Sequence, residues 1–381
     1  MISQSNPTIL PGSTIGMLGG GQLGRMSLLA GRKLGFSFKV WQPGKGCPAG
    51  VLAERTINDG FESNKGSDLF ASDISIATLE FENIPVKVLK SLQKRIPICP
   101  KPEILNICQN RKREKTFLQK NNFPCAKFKV VDSKSSLQKA LFEVGTPSVL
   151  KTADFGYDGK GQVKINDDSD LTSIWEEFKS PEGVLEAWVD YQSECSVIVA
   201  RNSQGQIRTY PVIENRHCNH ILDFSFYPAN IPSKIQKNAD ELATELAIKL
   251  DLVGIIAVEL FFTSGDQLLV NEIAPRPHNS GHLTIEGSRT SQFEQHIRAV
   301  TGLPLGDTYM HGCTVMMNLL GDLWNPTQPN WETLLKPGNS SLHLYGKKYP
   351  APNRKMGHVT FTGSEVETLI HQGILWKNSL K

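Results

Sequence analysis

Two glutamates stand inside apolar, β-rich segments of the chain, Glu259 in Ala257-Val-Glu-Leu-Phe-Phe262 and Glu272 in Leu269-Val-Asn-Glu-Ile273. A lone carboxylate in such surroundings carries a heavy desolvation cost, so something cationic belongs beside it. If the two segments pair as strands, both carboxylates converge on one face and form a hard oxygen site suited to Mg²⁺, the ion that bridges nucleotide phosphates. The competing arrangement is a structural ion pair for each glutamate with a nearby Arg or Lys. Directly after them, Ala274-Pro-Arg-Pro-His-Asn-Ser-Gly-His282 gathers Arg276, His278, Asn279 and Ser280. This is an anion-binding composition: Arg offers a planar fork for carboxylate or phosphate, and His donates or transfers a proton near neutrality. A polar surface loop is the plainer alternative. Pro277 and Gly281 speak against one helical face for His278 and His282, and His217-Cys218-Asn219-His220 is too cramped to form a metal site alone.

Two glycine segments add further chemistry. In Gly156-Tyr-Asp-Gly-Lys-Gly161 the glycine spacing and Gln162 exclude a Walker A loop. A glycine hairpin there can still close main-chain N–H groups over a polyphosphate, with Lys151 on the preceding strand as a point charge; a surface hairpin with a solvated lysine competes. Gly19-x-Gly21-x-x-Gly24 has the spacing of a dinucleotide fingerprint, but Lys39-Val-Trp-Gln-Pro-Gly44 lacks the carboxylate an NAD ribose requires. A backbone nest for another anionic group, or a structural tight turn, fits better.

The elements that must position these groups alternate. Thr14 to Leu18 reads as a strand, Arg25 to Leu34 as an amphipathic helix, Ser37 to Trp41 and Ile74 to Phe81 as strands, and Val86 to Lys94 as a helix. That alternation predicts a parallel α/β layer ending near the proline-punctuated segment 96–102. Further on, Arg111 to Lys120 and Ala239 to Leu250 read as helices. Strands are expected over Ala126 to Val131, Ser148 to Lys151, Gly161 to Ile165, Val184 to Trp188, Cys195 to Ala200, Gln206 to Ile213, Ile255 to Phe262 and Gln267 to Ile273. The tail carries short strands (Cys313 to Leu319, Ser341 to Tyr345, His358 to Thr362) between proline-rich turns, and no repeat runs through the chain.

A chain of 381 residues has room for two or three domains. Its net charge of +3, without a basic tail, gives no nucleic-acid footprint. The longest apolar stretch, Leu252 to Phe262, is too short for a membrane span and carries Glu259, and the start MISQSNPT lacks the regions of a signal peptide. The expectation is a cytoplasmic protein whose seven scattered cysteines are reduced.

Taken together, Gly19-Gly-Gly-Gln-Leu-Gly-Arg-Met26, Glu80-Phe-Glu-Asn-Ile-Pro85, Gly156-Tyr-Asp-Gly-Lys-Gly-Gln162, Asn271-Glu-Ile-Ala-Pro-Arg-Pro-His-Asn-Ser-Gly-His282 and Ser291-Gln-Phe-Glu294 resemble the ATP-grasp ligases. Within that superfamily the likeness is to the 5-(carboxyamino)imidazole ribonucleotide synthase family of purine biosynthesis, over nearly the whole chain. The resemblance implies an N-terminal parallel α/β pre-ATP-grasp domain over 1–108, a two-lobed ATP-grasp domain over 109–300 with a lid at about 126–190, and a small β-rich C-terminal domain over 301–381.

It also implies roles. Arg111 and Lys151 would meet the phosphates of ATP, and Tyr157, Asp158, Gly159, Lys160, Gly161 and Gln162 would form the lid loop. Glu186, Ala187, Trp188 and Val189 would line the adenine hinge, Glu194 would hold the ribose, and His217, Asn271 and Glu272 would complete the nucleotide site. Mg²⁺ would sit on Glu259 and Glu272. In the family, ATP phosphorylates bicarbonate to carboxyphosphate, whose carboxyl group passes to 5-aminoimidazole ribonucleotide with release of ADP and phosphate. Tyr157, Asp158, Lys160, Arg276, His278, Asn279 and Ser280 would surround the reacting groups, with Lys160, Arg276 and His278 closest to the chemistry. Gln22 and Glu82 would add substrate contacts, and Lys347 and Arg354 would reach the ribonucleotide phosphate. A homodimer is likewise implied.

Two departures stand out: Ala274 occupies a position where many ATP-grasp enzymes place a metal-binding Asn, and Lys160 stands where relatives often carry Arg, keeping the charge without the fork. Formate-dependent glycinamide ribonucleotide transformylase is the nearest rival, and the His-Asn-Ser-Gly-His loop weighs against it. A nucleotide-binding module without turnover would be favoured by loss of Lys151, Glu259 or Glu272, all of which are present.

Overall fold

Short, largely buried strands, three of the four followed by a helix, build the first layer of the structure, a computed structural model describing residues 7–154, 161–324 and 327–380. Its elements are β1 (Thr14–Leu18), α1 (Gln22–Lys33), β2 (Ser37–Trp41), β3 (Arg55–Ile57), α2 (Asn64–Ala71), β4 (Ile76–Leu79), α3 (Val86–Leu92) and α4 (Pro102–Cys108). The strands form a parallel sheet in the order β3-β2-β1-β4. The strand expected over Ile74 to Phe81 is shorter at both ends. Within the proline-punctuated segment, Pro102 opens α4, in a first turn where its missing N–H costs no hydrogen bond.

A second, antiparallel sheet follows. Helix α5 (Arg111–Lys120) leads to β5 (Phe128–Val131), α6 (Lys134–Val144), β6 (Ser148–Thr152), β7 (Gln162–Ile165), α7 (Leu171–Phe178) and β8 (Gly183–Ala187), with strand order β5-β8-β6-β7. Val131, Leu137, Leu150, Ile165, Phe178 and Leu185 make the small core of this lobe. Ser133 and Asp170 cap the two helices, each accepting a main-chain N–H from the first turn.

The remaining chain builds one large sheet. Its elements are β9 (Tyr191–Arg201), β10 (Ile207–Thr209), β11 (Ile213–Cys218), β12 (Ile221–Tyr227), α8 (Ser233–Lys249), β13 (Gly254–Thr263), β14 (Leu268–Ala274), α9 (Thr284–Gly287), α10 (Gln292–Thr301), β15 (Cys313–Leu320), α11 (Trp331–Leu335), β16 (Ser340–Leu344), β17 (Lys355–Gly363) and α12 (Val366–Asn378). The order is β14-β13-β9-β11-β12-β15-β17-β16, with β10 on β9. The tail strands therefore extend the central sheet through the β12–β15 pairing. The strand expected over Gln206 to Ile213 is interrupted between Thr209 and Ile213, where Pro211 has no N–H to give a ladder. Helix α8 covers one face of the sheet through Ala239, Ala243, Leu246 and Ala247. On the other face α10 packs against α1, and buried His296 meets Thr78 of β4 at 2.8 Å, which fixes the first layer against the large sheet. All seven cysteines are free. Among the described residues no helix is long and apolar enough to cross a membrane.

Candidate active site

Strands β13 and β14 pair antiparallel and place Glu259 directly opposite Glu272. The register then slips: Leu260 faces Val270, so Asn271 is an extra residue on β14. Consecutive strand residues point to opposite faces, and an inserted residue breaks that alternation. The bulge thus lets neighbouring Asn271 and Glu272 both line a cavity of about 980 Å³ between the three layers.

The two carboxylates share one face, and of the expected Arg or Lys ion pairs only that of Glu272 is found among the described residues, Glu259 meeting a histidine instead. Glu259 Oε1 lies 2.9 Å from His278 Nε2, and Glu272 Oε2 lies 3.9 Å from an Arg111 nitrogen. Burial alone would raise the Glu259 pKa, but the contact with His278, with His217 and Arg276 nearby, outweighs it and holds it at about 2. For Glu272, burial raises the pKa, Arg111 opposes this, and the Glu259 and Glu82 charges push it further up. Two carboxylates sharing a face in this way ask for a divalent cation. Among the described residues no cluster of three or more His, Cys, Asp or Glu side chains forms a complete metal cage. The donor set fits Mg²⁺, which takes one or two carboxylates and completes its octahedron with phosphate oxygens and water.

The loop after β14 is shaped around His278. Its Nδ1 accepts from the Ser280 main-chain N–H at 3.3 Å and lies 2.9 Å from Ser280 Oγ, which leaves a ring proton on Nε2 toward Glu259. Ser280 is fully buried and accepts from Ser196 Oγ at 2.7 Å, which in turn accepts from Asn215. Gln292 ties the His278 main chain from the other side. Gly281 permits this packing, since a Cβ there would lie 2.1 Å from Ile198 Cδ1.

Arg276 reaches back to the first layer, where Glu82 accepts from its Nε and, at 2.9 Å, from its Nη2. This two-point grip overcomes the cost of burial and holds the Glu82 carboxyl below its usual range. Glu80 accepts from the main-chain N–H groups of Gly21 (2.8 Å) and Gly24 (3.0 Å). Of the readings for the glycine turn, the structure therefore shows the chain's own carboxylate seated on its amides. A Cβ on Gly21 would meet Glu80 Oε1 at 2.7 Å, so the turn needs glycine for close approach.

On the small lobe, Lys151 Nζ donates to Glu186 Oε2 at 3.0 Å, and Lys115 Nζ lies 3.5 Å from the same oxygen. Burial would raise the Glu186 pKa, but Lys115, Lys151 and Arg111 hold it at about 2. Its Oε2 is thus committed to the lysines, while Ala187 and Trp188 donate their main-chain N–H groups to the Lys127 and Pro147 carbonyls. Glu194 pairs with His217 at the cavity wall, raising the His217 pKa against the effect of burial.

The cavity brings together Gln22, Glu82, Arg111, Lys151, Gly161, Gln162, Glu186, Ala187, Trp188, Val189, Glu194, His217, Glu259, Asn271, Glu272, Arg276, His278 and Asn279. Three expected substrate contacts do not line it. Ser280 is buried beneath His278, Lys347 donates to the Lys355 carbonyl, and Arg354 donates to the Tyr349 carbonyl at 2.7 Å. Lys355 lines the cavity in their neighbourhood. Tyr157, Asp158, Gly159 and Lys160 lie outside the described residues. Glu80 and Gln292 were present in motifs quoted from the sequence but had no role there; Lys115 and Lys355 carried no signal at all.

Three family models match in succession: the ribonucleotide synthetase preATP-grasp domain over residues 13–109, the ATP-grasp domain over 116–293, and the phosphoribosylaminoimidazole carboxylase C-terminal domain over 314–372. The chain is 42% identical over 357 residues to N5-carboxyaminoimidazole ribonucleotide synthase of Bacillus subtilis, covering 94% of this chain and 93% of that one. It is 42% identical over 385 residues to a bifunctional purine synthesis protein of Dictyostelium discoideum, of which it spans 38%. Among solved structures, the Staphylococcus aureus N5-carboxyaminoimidazole synthetase complexed with ADP superposes with a TM-score of 0.92 at 34% identity, covering 98% and 99% of the two chains. The Aspergillus clavatus N5-carboxyaminoimidazole synthase in complex with ADP and 5-aminoimidazole ribonucleotide gives 0.87 at 27% identity, covering 97% and 98%. With this identity spread over nearly its whole length, the chain belongs to the N5-carboxyaminoimidazole ribonucleotide synthase family of ATP-grasp ligases.

Proposed function

We propose that this chain catalyses the ATP-dependent carboxylation of 5-aminoimidazole ribonucleotide with bicarbonate, a step of purine biosynthesis. The observation that carries the reading is the convergence, in one cavity, of a carboxylate pair, the cations Arg111 and Lys151, and the Arg276 and His278 loop.

In the first step a bicarbonate oxygen attacks the γ-phosphorus of ATP, forming carboxyphosphate as the bond to ADP breaks. Lys151 and Arg111 neutralise charge on the phosphates, a role that must be set before reaction begins because phosphoryl transfer is governed by positioning and electrostatics. Glu259 and Glu272, with Asn271 beside them, would hold Mg²⁺, which would supply neutralisation of phosphate charge. In the second step the amine of the ribonucleotide attacks the carboxyl carbon, phosphate leaves with its bridging oxygen, and the amine proton is released. Arg276, gripped by Glu82, and Asn279 face the carboxylate oxygens on which charge builds as the amine attacks, while His278 can hold a proton at Nε2. Tyr157, Asp158 and Lys160 are assigned the shielding role that the resemblance gives their motif, since carboxyphosphate must be kept from water. Gln22 supports the substrate from the first layer, and Lys355, which lines the cavity, receives its phosphate with the charges of Lys347 and Arg354 beside it. Ala187, Trp188 and Val189 flank the adenine, and Glu194 with His217 flank the ribose. The domain limits 1–108, 109–300 and 301–381, a homodimer and a cytoplasmic location complete the reading.

ADP release with MgATP and bicarbonate is expected to rise on adding 5-aminoimidazole ribonucleotide. Stimulation only by formate with glycinamide ribonucleotide would move the chain to the sister activity.

A further inference from the structure

β14 is the outer strand of the large sheet. Among the described residues the main chain meets its outer edge at one isolated parallel bridge, Cys125 to Val270, where Val270 N–H donates to the Pro124 carbonyl at 2.7 Å; side chains meet it on either side. Lys115 Nζ donates to the carbonyls of Val270 (3.3 Å) and Asn271 (3.1 Å), and Glu114 Oε1 accepts from Ile273 N–H at 2.7 Å. These contacts fall on both sides of the bulge that turns Asn271 and Glu272 into the cavity. Lys115 and Glu114 are 0% and 2% exposed, a depth at which ionisable groups persist only when fully partnered. Lys115 has a third partner, Glu186 of β8 in the small lobe, which also holds Lys151. The start of α5 is tied to the same lobe, because Arg111 N–H donates to the Ala153 carbonyl at 2.8 Å and Asn110 Nδ2 to Asp154 at 2.8 Å.

We propose that Glu114 and Lys115 are positioning residues: they hold the β14 bulge so that Asn271 and Glu272 share the cavity, and Lys115 locks that bulge to Glu186 and hence to Lys151. An edge bulge without such partners is free to slip by one residue, which would restore the strand's alternation and turn one of the two side chains away. The inference rests on the reading of Glu259 and Glu272 as the divalent-ion ligands.

The test is calorimetric titration of ADP, with and without Mg²⁺, into the full chain and its variants. In the wild type, Mg²⁺ tightens ADP binding. Lys115→Met and Glu114→Met are expected to lose about tenfold or more of that gain, as removal of groups behind metal ligands does. Glu114→Gln keeps an acceptor for Ile273 N–H, and Lys115→Arg keeps donors for the two carbonyls; both are expected to stay within about threefold of wild type, a recovery that general loss of packing would not give. If Lys115→Met fails to fold, the Glu114→Met and Glu114→Gln pair makes the same comparison. Wild-type Mg²⁺ gain in both methionine variants overturns the positioning role alone. Absence of any Mg²⁺ gain in the wild type overturns the ligand reading and the inference with it.

Discussion

Gln292 holds His278 by both of that residue's main-chain groups: its Oε1 accepts from the His278 N–H at 2.9 Å and its Nε2 donates to the His278 carbonyl at 2.6 Å. Fully buried at the start of α10, Gln292 makes the loop's conformation a property of the helix behind it. Gln292→Ala is expected to lower kcat/KM for the ribonucleotide by about tenfold to a hundredfold through displacement of His278. Steady-state kinetics with each substrate varied in turn checks this, with the KM for ATP changing far less.

Glu272→Gln removes one of the two carboxylates while keeping its size. The expected outcome is loss of ATP turnover with the circular dichroism spectrum and melting transition preserved, because Glu272 opens onto the cavity and supports no core. Unchanged turnover at saturating Mg²⁺ would contradict the assignment.

Glu186 offers a stability prediction with a defined sign. Its carboxyl is held at about 2, below the ordinary 4.5, by Lys115, Lys151 and Arg111 against the cost of burial. A depressed carboxylate stabilises the fold above its unfolded value and loses that contribution as pH falls, here between 4.5 and about 2. Glu186→Gln leaves two buried lysines without their counter-charge and is expected to cost about 3 to 5 kcal/mol at neutral pH. Denaturant titrations from pH 7 down to acid conditions should show the wild type losing its advantage over the variant in that window.

Much of this arrangement was readable from residue types. Carboxylates inside the apolar runs around Glu259 and Glu272 pointed to paired strands, and the strand, glycine turn and helix at Thr14 to Lys33 pointed to the parallel layer. The β14 bulge was not readable, because Leu-Val-Asn-Glu-Ile carries no local mark of an extra residue. Glu80 could not be assigned either: its partners Gly21 and Gly24 are more than fifty residues away, and only the β1–β4 pairing brings them together. Lys115 sits in the charged run Arg111-Lys-Arg-Glu-Lys115, where solvation is the default expectation, and the structure buries it completely.

Lys347 supplies a pH dependence. Burial, with Arg354 and Lys355 nearby, lowers its pKa to about 8, while Glu80 opposes the shift. The ammonium form that attracts a phosphate is therefore lost as pH rises through about 8. The KM for 5-aminoimidazole ribonucleotide should rise above that pH while the KM for ATP holds steady. Lys347→Ala should raise the ribonucleotide KM at pH 7 and abolish this dependence; equal effects on both substrates would remove Lys347 from the phosphate site.

If ATP is spent on making carboxyphosphate in this cavity, an oxygen atom passes from bicarbonate to phosphorus in every turnover. With ¹⁸O-labelled bicarbonate, MgATP and 5-aminoimidazole ribonucleotide, the attacking bicarbonate oxygen becomes the bridging oxygen and leaves with phosphorus. Mass spectrometry of the product phosphate should find one ¹⁸O atom per turnover. Phosphate formed in step with carboxylated product but free of label would contradict the account.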